Sequence, residues 1–208
     1  MSTLICFALR EEAAAISWKT GFWRGHKVLL TGIGKKNAER TVRESLAGQI
    51  SKRVLTCGFA GGLDPALKIG DVVFATDDAI LNEKLSAAGA KPAKIHCADR
   101  VAVTVAEKQD LRKKTGADAV EMESGVIQSI CRERGIPCAT VRVISDTAND
   151  DLPLDFNALS KPDQSLDFGK LAFTLVKQPG KIPALMRLQK NCQLAAQRLA
   201  EVLDKAVR

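Results

Sequence analysis

Residues 122–150 read MESGVIQSICRERGIPCATVRVISDTAND, and the contrast between the two halves of this stretch decides the fold. The run CATVRVI (138–144) is apolar at nearly every position except Arg142, as in a strand covered on both faces. The stretch before it, 122–135, has a helical pattern. It ends CRERG, with basic groups in its last turn, Gly135 at the stop and Pro137 just beyond, which is how helices terminate. Helix into two-sided strand is the repeating unit of an α/β sandwich. The same alternation runs back toward the start. Strand patterns lie at 3–9, 27–31, 53–57, 71–75 and 100–105, and helical patterns at 11–18, 36–50 and 107–114. Together they predict a three-layer α/β/α sandwich around a central mixed, largely parallel sheet.

After Asp150 the pattern breaks. Residues 150–167, DDLPLDFNALSKPDQSLD, mix polarity with two prolines and predict an irregular loop. Helical periodicity returns at 168–177. It resumes after PGKIP, with Ile182, Leu185, Met186, Gln189, Cys192, Leu199, Val202 and Ala206 close to one face. No internal repeat or low-complexity tract interrupts the chain, so residues 1–208 read as a single domain.

Composition narrows the chemistry. With 46% apolar residues the chain can build a full core. No apolar run approaches the ~20 residues of a bilayer crossing, and MSTLICFALREE lacks the basic-then-apolar signal pattern. Both features point to the cytoplasm. The six cysteines (Cys6, Cys57, Cys97, Cys131, Cys138, Cys192) are scattered with no CxxC pair, which reads as free thiols in a reducing compartment. His26 and His96 are the only histidines and tyrosine is absent. A zinc site therefore lacks clustered ligands, a Ser-His-Asp relay has few candidates, and phenol acid–base chemistry is excluded. Catalysis has to rest on carboxylates, cations and backbone amides, with no cofactor and no metal. The net charge is +7, and residues 161–208 carry nine basic against four acidic groups. That tail fits a solvated helix face or an anionic membrane surface. Without interleaved aromatics it does not suit single-stranded nucleic acid.

Four places at strand ends can carry chemistry. TGIGKKNAER (31–40) and CGFAGGLDP (57–65) are glycine-containing turns that let backbone amides approach a ligand, though neither matches a phosphate-loop or dinucleotide pattern. VEMES (120–124) opens a helix. Its Glu121 and Glu123 can cap that helix or grip a sugar diol, and both readings stay open. ISDTAND (144–150) puts Asp146 at the end of the most apolar strand, either as a cap or as a desolvated general acid. Glu11 and Glu12 follow the first strand and can be first-turn acids of a helix.

The order FALREE, TGIGKKNA, CGFAGGLDPALKIGDVV, AVEMES and VRVISD resembles the purine nucleoside phosphorylase/uridine phosphorylase superfamily. It is similar to its methylthioadenosine/S-adenosylhomocysteine nucleosidases and especially to the hopanoid-associated phosphorylases, which the tail segments KPDQSLDFGKL and KQPGKIPALMRL resemble most. The resemblance covers about residues 3–150. It implies cleavage of the N-glycosidic bond of a purine nucleoside or adenosine conjugate such as adenosylhopane, releasing adenine. Phosphate is the favoured nucleophile and water its competitor; a nucleoside-binding protein without turnover is the alternative from another class. By the resemblance, Asp146 is the acid that protonates purine N7, Glu123 grips the ribose with Met122 beneath the ring, and Glu12 activates water. Ala60, Gly61 and Gly62 line the purine, and Ser145 completes the substrate-binding set. The chain departs from the family at Phe59, where a serine usually helps hold phosphate. Arg10 and Gly32 are the candidates to replace it. Phe7, Phe156 and Phe168 are candidates to stack on the base, since no tyrosine exists. The resemblance further implies a homo-oligomer that uses no nucleic-acid partner.

Overall fold

The computed structural model describes residues 3–16, 21–48, 51–161 and 167–208. In chain order the strands and helices are β1 (Thr3–Phe7), β2 (Phe22–Trp23), β3 (His26–Leu30), α1 (Lys35–Ala47), β4 (Arg53–Gly62) and β5 (Val72–Thr76). There follow α2 (Ala79–Ala87), β6 (Lys91–Pro92), β7 (Ile95–Cys97), α3 (Val105–Thr115) and β8 (Ala119–Glu121). The last are α4 (Ser124–Glu133), β9 (Cys138–Asp146), α5 (Phe168–Lys177) and α6 (Ile182–Ala206).

The expected sandwich is present. The sheet runs β2-β3-β1-β4-β9-β5-β6, with β3, β1, β4 and β9 mutually parallel and β5 antiparallel to β9. Alternation along the strands sorts the two cores. Ile5, Phe7, Leu55, Val141 and Val143 pack with Leu81 and Leu85 of α2 and Leu199 and Leu203 of α6. Leu4, Cys6 and Val54 face the other way, against Ala38, Val42 and Leu46 of α1 and Ile127 and Ile130 of α4. Each buried leucine or isoleucine contributes roughly 1.5–3 kcal/mol of transfer free energy, so both faces of β1 and β4 are anchored. The six cysteines are all free thiols.

Four local readings are corrected. Of residues 57–65, residues 57–62 are strand, and the chain turns only from Asp64, where Leu67 N–H bonds Asp64 O. β4 continues through Gly62 with an irregularity between Ala60 and Gly61, and its end pairs with both β8 and β9. Residues 11–16 form successive turns closed by Ala13 N–H to Arg10 O and Ile16 N–H to Ala13 O rather than an α-helix; residues 17–20 of that expected helix lie outside the described residues. Residues 100–105 are not a strand. Val101 N–H bonds the Asn157 side chain and Val103 N–H the Glu107 carboxylate, while Thr104 and Glu107 form a capping box that starts α3. The C-terminal stripe is buried only in its second half. Ala195, Leu199, Val202 and Ala206 are in the core, whereas Ile182 and Met186 are exposed.

What this topology does for function is specific. The C-terminal end of β4 is flanked by the ends of β8 and β9, where Gly61 pairs with Val120 on one side and Asp146 on the other. Residues far apart in sequence therefore meet at one sheet edge, the usual ligand position in α/β folds.

Candidate active site

A cavity of about 640 Å³ opens at that edge. Glu12, Glu123 and Asp146 all line it, together with Ala60, Gly61, Met122 and Ser145. The structure thus brings together most of the residues singled out from the sequence, from four separate segments.

Glu12 is held from three sides. Its Oε2 accepts the N–H groups of Ala8 and Leu9 at 2.8 and 2.9 Å, and its Oε1 accepts that of Phe59 at 2.8 Å. This is why the chain turns after β1 instead of starting a helix: the carboxylate folds back onto the strand end. Gly58 makes room for it. A Cβ at that position would lie 2.4 Å from Glu12 Oε1, and Gly58 has φ +155°. Burial, together with the Glu123 charge, pushes the Glu12 carboxyl up to about 7, against the pull of Arg142 and the backbone N–H groups. A carboxylate poised near neutrality is suited to taking a proton from water.

The two glutamates of VEMES divide the two roles that the sequence left open. Glu121 is the cap: it accepts Ser124 N–H at 2.8 Å, Ser124 Oγ–H at 2.6 Å and Glu123 N–H at 3.0 Å at the start of α4. It also pairs with Arg142 of β9, whose Nη2 lies 2.5 Å away and also donates to Thr56 Oγ1 at 3.1 Å. Burial raises the Glu121 carboxyl, but the Arg142 charge and the hydrogen bonds pull it below the usual range. Glu123 makes no cap bond to α4. Its Oε1 instead accepts Gly34 N–H at 2.9 Å, at the N-terminus of α1. Burial raises its carboxyl, and Arg142 opposes that while Glu121 adds to it.

Asp146 ends β9 and is nearly buried. Ser145 Oγ–H donates to its Oδ1 at 2.8 Å, and the fully buried Lys108 of α3 donates to its Oδ2 at 2.6 Å. Gly61 and Gly62 keep the space open, since a Cβ on Gly61 would sit 3.2 Å from Asp146 Oδ2, and one on Gly62 would sit 3.3 Å from the Asp146 carbonyl oxygen. Gly62 itself is not among the cavity-lining residues.

The anion site expected at Arg10 and Gly32 is not at the cavity, whose lining cations are Arg100, Lys161 and Lys170. Arg10 is exposed, and neither it nor Gly32 lines the cavity. Gly32, at φ +81°, packs against Asn37. Glu11 is exposed as well. Of the stacking candidates, Phe156 lines the cavity and Phe7 is buried in the core; the side chain of Phe168 lies outside the described residues. Phe59, known from the sequence only as a departure, is the second aromatic at the cavity. Sequence reasoning missed Lys108 and the function of Arg142. The first carried no signal beyond its place in a basic helix; the second was visible as the lone charge in an apolar strand. Among the described residues no group of three or more His, Cys, Asp or Glu side chains is arranged to hold a metal ion, and no helix is long and apolar enough to cross a membrane.

Comparison with known proteins gives a consistent picture. The family profile of the phosphorylase superfamily matches residues 11–93 and 79–208. A 5′-methylthioadenosine/S-adenosylhomocysteine nucleosidase of Actinobacillus succinogenes is 30% identical over 163 residues, covering 62% of this chain and 71% of the relative. One of Staphylococcus aureus is 28% identical over 183 residues, 71% and 80% of the two chains. Among solved structures, a Helicobacter pylori nucleosidase of that name in complex with a substituted pyrrolidin-3-ol superposes with a TM-score of 0.72. It is 20% identical and covers 99% of this chain and 97% of its own. The futalosine hydrolase of the same organism gives 0.68 at 20% identity, over 98% and 97%. These structural likenesses establish the fold.

Proposed function

The chain belongs to the phosphorylase superfamily, and from that premise we propose that it is an enzyme acting on nucleosides, which hydrolyses the N-glycosidic bond of a 5′-substituted adenosine and releases adenine. The convergence of Glu12, Glu123 and Asp146 on one cavity carries this reading. As the C1′–N9 bond breaks, its electron pair goes to the purine, and Asp146 supplies a proton to N7. The ribosyl group becomes cationic. Glu123, fixed by the Gly34 amide, binds the ribose hydroxyls and stabilises that charge. Water attacks C1′ and gives its proton to Glu12, whose carboxyl near 7 suits a base at neutral pH.

Water is chosen over phosphate for two reasons. Arg10, the one cation expected to hold phosphate, does not line the cavity, whose cations are Arg100, Lys161 and Lys170, and Phe59 stands where the family serine would. The relatives above are named nucleosidases. The 5′ substituent is apolar in this reading, since Ile33, Val101, Leu152 and Phe156 line the cavity. Methylthioadenosine is the small member of that class and adenosylhopane the large one. For the long-tailed substrate we include peripheral contact with anionic membrane. Residues 168–200 hold six bases and no acid, beside exposed Phe173, Val176, Ile182 and Met186. A homo-oligomer in light scattering is expected from the resemblance.

The deciding experiment measures adenine release from adenosine, methylthioadenosine and a long-chain 5′-alkyl adenosine, each with and without phosphate. Release independent of phosphate supports hydrolysis. Phosphate-dependent release overturns the choice of water, and ligand binding without release makes the chain a binding protein. Sedimentation with phosphatidylglycerol vesicles tests the membrane contact, which fails if the chain stays in the supernatant.

A further inference from the structure

Lys108 is 0% exposed, a rare condition for a lysine unless every proton is satisfied. All three are. Nζ donates to Asp146 Oδ2 at 2.6 Å, to Thr147 O at 2.7 Å and to Asp150 O at 2.8 Å. The two carbonyls belong to the turn after β9, which is closed by Thr147 N–H and Oγ1–H on Asp150 Oδ2 at 3.0 and 2.6 Å. One side chain from α3 therefore pins both the carboxyl group and the turn that follows it.

The other carboxyl oxygen is treated differently. Ser145 Oγ lies 2.8 Å from Asp146 Oδ1 and 3.3 Å from Ala60 O. A hydroxyl has one proton. Donated to Asp146, it satisfies the carboxylate; donated to Ala60 O, it leaves Oγ free to accept a proton carried on Oδ1. Oδ1 thus has a partner in both protonation states, whereas Oδ2 faces an ammonium whose protons are all committed.

On the reading that Asp146 is the acid of the glycosidic cleavage, we propose that Lys108 is a positioning residue for this reaction. It confines the transferable proton to Asp146 Oδ1, fixes the carboxyl plane toward the cavity, and offsets the negative charge left on Asp146 after the proton has moved to the purine. The other charged and titratable groups around this carboxyl do not replace it. Glu12, Glu121 and Glu123 across the cavity are acids, and of the cations lining it Arg100 pairs with Glu107 while neither Lys161 nor Lys170 is ion-paired with Asp146 among the described residues. Asp150 is held by Thr147 and feels Arg187 at longer range, and Cys192 of α6 has its thiol raised by burial and by the charges of Asp146 and Glu12. Arg142 is committed to Glu121. Lys108 is the one cation in direct contact with Asp146 among the described residues.

The test compares pH profiles of kcat/KM for adenine release in the wild type, Lys108→Met and Lys108→Arg, and repeats Lys108→Met in an Asp146→Asn background. Removing the ammonium removes a charge that opposes protonation. The basic limb of the profile accordingly moves up by about one pH unit or more in Lys108→Met, and the kcat plateau falls about tenfold or more, with KM little changed. Lys108→Arg restores the limb toward its wild-type position. In the Asp146→Asn background, where no buried carboxylate is left unpaired, Lys108→Met costs less than about twofold. An unmoved limb, or an equal cost in both backgrounds, overturns the proposal and leaves Lys108 a purely structural residue. Adenine affinity followed by calorimetry over the same pH range reads the same proton without turnover. A chain with no adenine release would refute the enzymatic reading, while the binding curves of the wild type and Lys108→Met would still decide the role of Lys108.

Discussion

Replacing Glu12 by Gln probes stability and chemistry with one substitution. The Glu12 carboxyl stands at about 7 in the folded chain against 4.5 for an ordinary glutamate. Between those two pH values the native state binds more protons than the unfolded state, so stability falls as pH rises from 4.5 toward 7 and levels off above it. A displacement of that size corresponds to about 3 kcal/mol at 1.36 kcal/mol per pH unit. Gln cannot titrate, so that slope disappears in the variant. The substitution has its own cost, because all three partners of the carboxylate are N–H donors. The carboxamide oxygen can serve Ala8 and Leu9, but its NH2 then meets the N–H of Phe59, which is worth about 1–3 kcal/mol of lost satisfaction. Near pH 5 two neutral side chains are compared, whereas at pH 8 only the wild type carries the buried charge, so the variant gains stability relative to the wild type as pH rises from 5 to 8. Urea unfolding at pH 5, 6, 7 and 8 measures this directly, and adenine release is expected to fall by ~10²-fold or more. If the wild type and the variant lost stability in parallel across that range, the argument that burial holds Glu12 protonated would be wrong.

Three further changes test neighbouring parts of the site. Asp146→Asn keeps a side chain of the same shape but no transferable proton, and adenine release falls ~10²-fold or more while calorimetric nucleoside binding is retained; wild-type turnover would remove Asp146 from the mechanism. Gly58→Ala places a Cβ 2.4 Å from Glu12 Oε1 at φ +155°, so it lowers stability by roughly 1–3 kcal/mol and displaces the base; an unchanged melting temperature and rate would refute the steric reading. Arg142→Met leaves Glu121 buried beside Thr56 without its cation and costs about 3–5 kcal/mol, whereas Arg142→Met combined with Glu121→Gln recovers much of that loss in the same unfolding assay.

The parts of this site that sequence makes legible are those where one local pattern has one physical outcome. The two-sided strand 138–144 could only be central, and an acid at its end could only emerge at the sheet edge; Asp146 stands there. Glu123 and Glu121 were not separable by pattern, because both are acids within one turn of a helix start. Only the approach of Gly34 from α1 and of Arg142 from β9 divides their work. The misread segments fail for a related reason. Residues 100–105 alternate like a strand, yet Val101 and Val103 find their backbone partners in side chains of Asn157 and Glu107. Residues 57–65 carry glycines like a turn, yet Gly58 and Gly61 serve to let Glu12 and Asp146 pass close to a strand that runs on through Gly62. A glycine signals that something approaches the backbone, and the chain alone does not say whether that is the chain's own bend or a carboxylate from elsewhere. Lys108 is the limiting case. In sequence it is one of four basic residues in the helix 105–115, all equally suited to solvent. Its difference from Arg112, Lys113 and Lys114 lies entirely in the path of the loop after β9, which closes over its ammonium with two carbonyls and the carboxylate at the end of that strand.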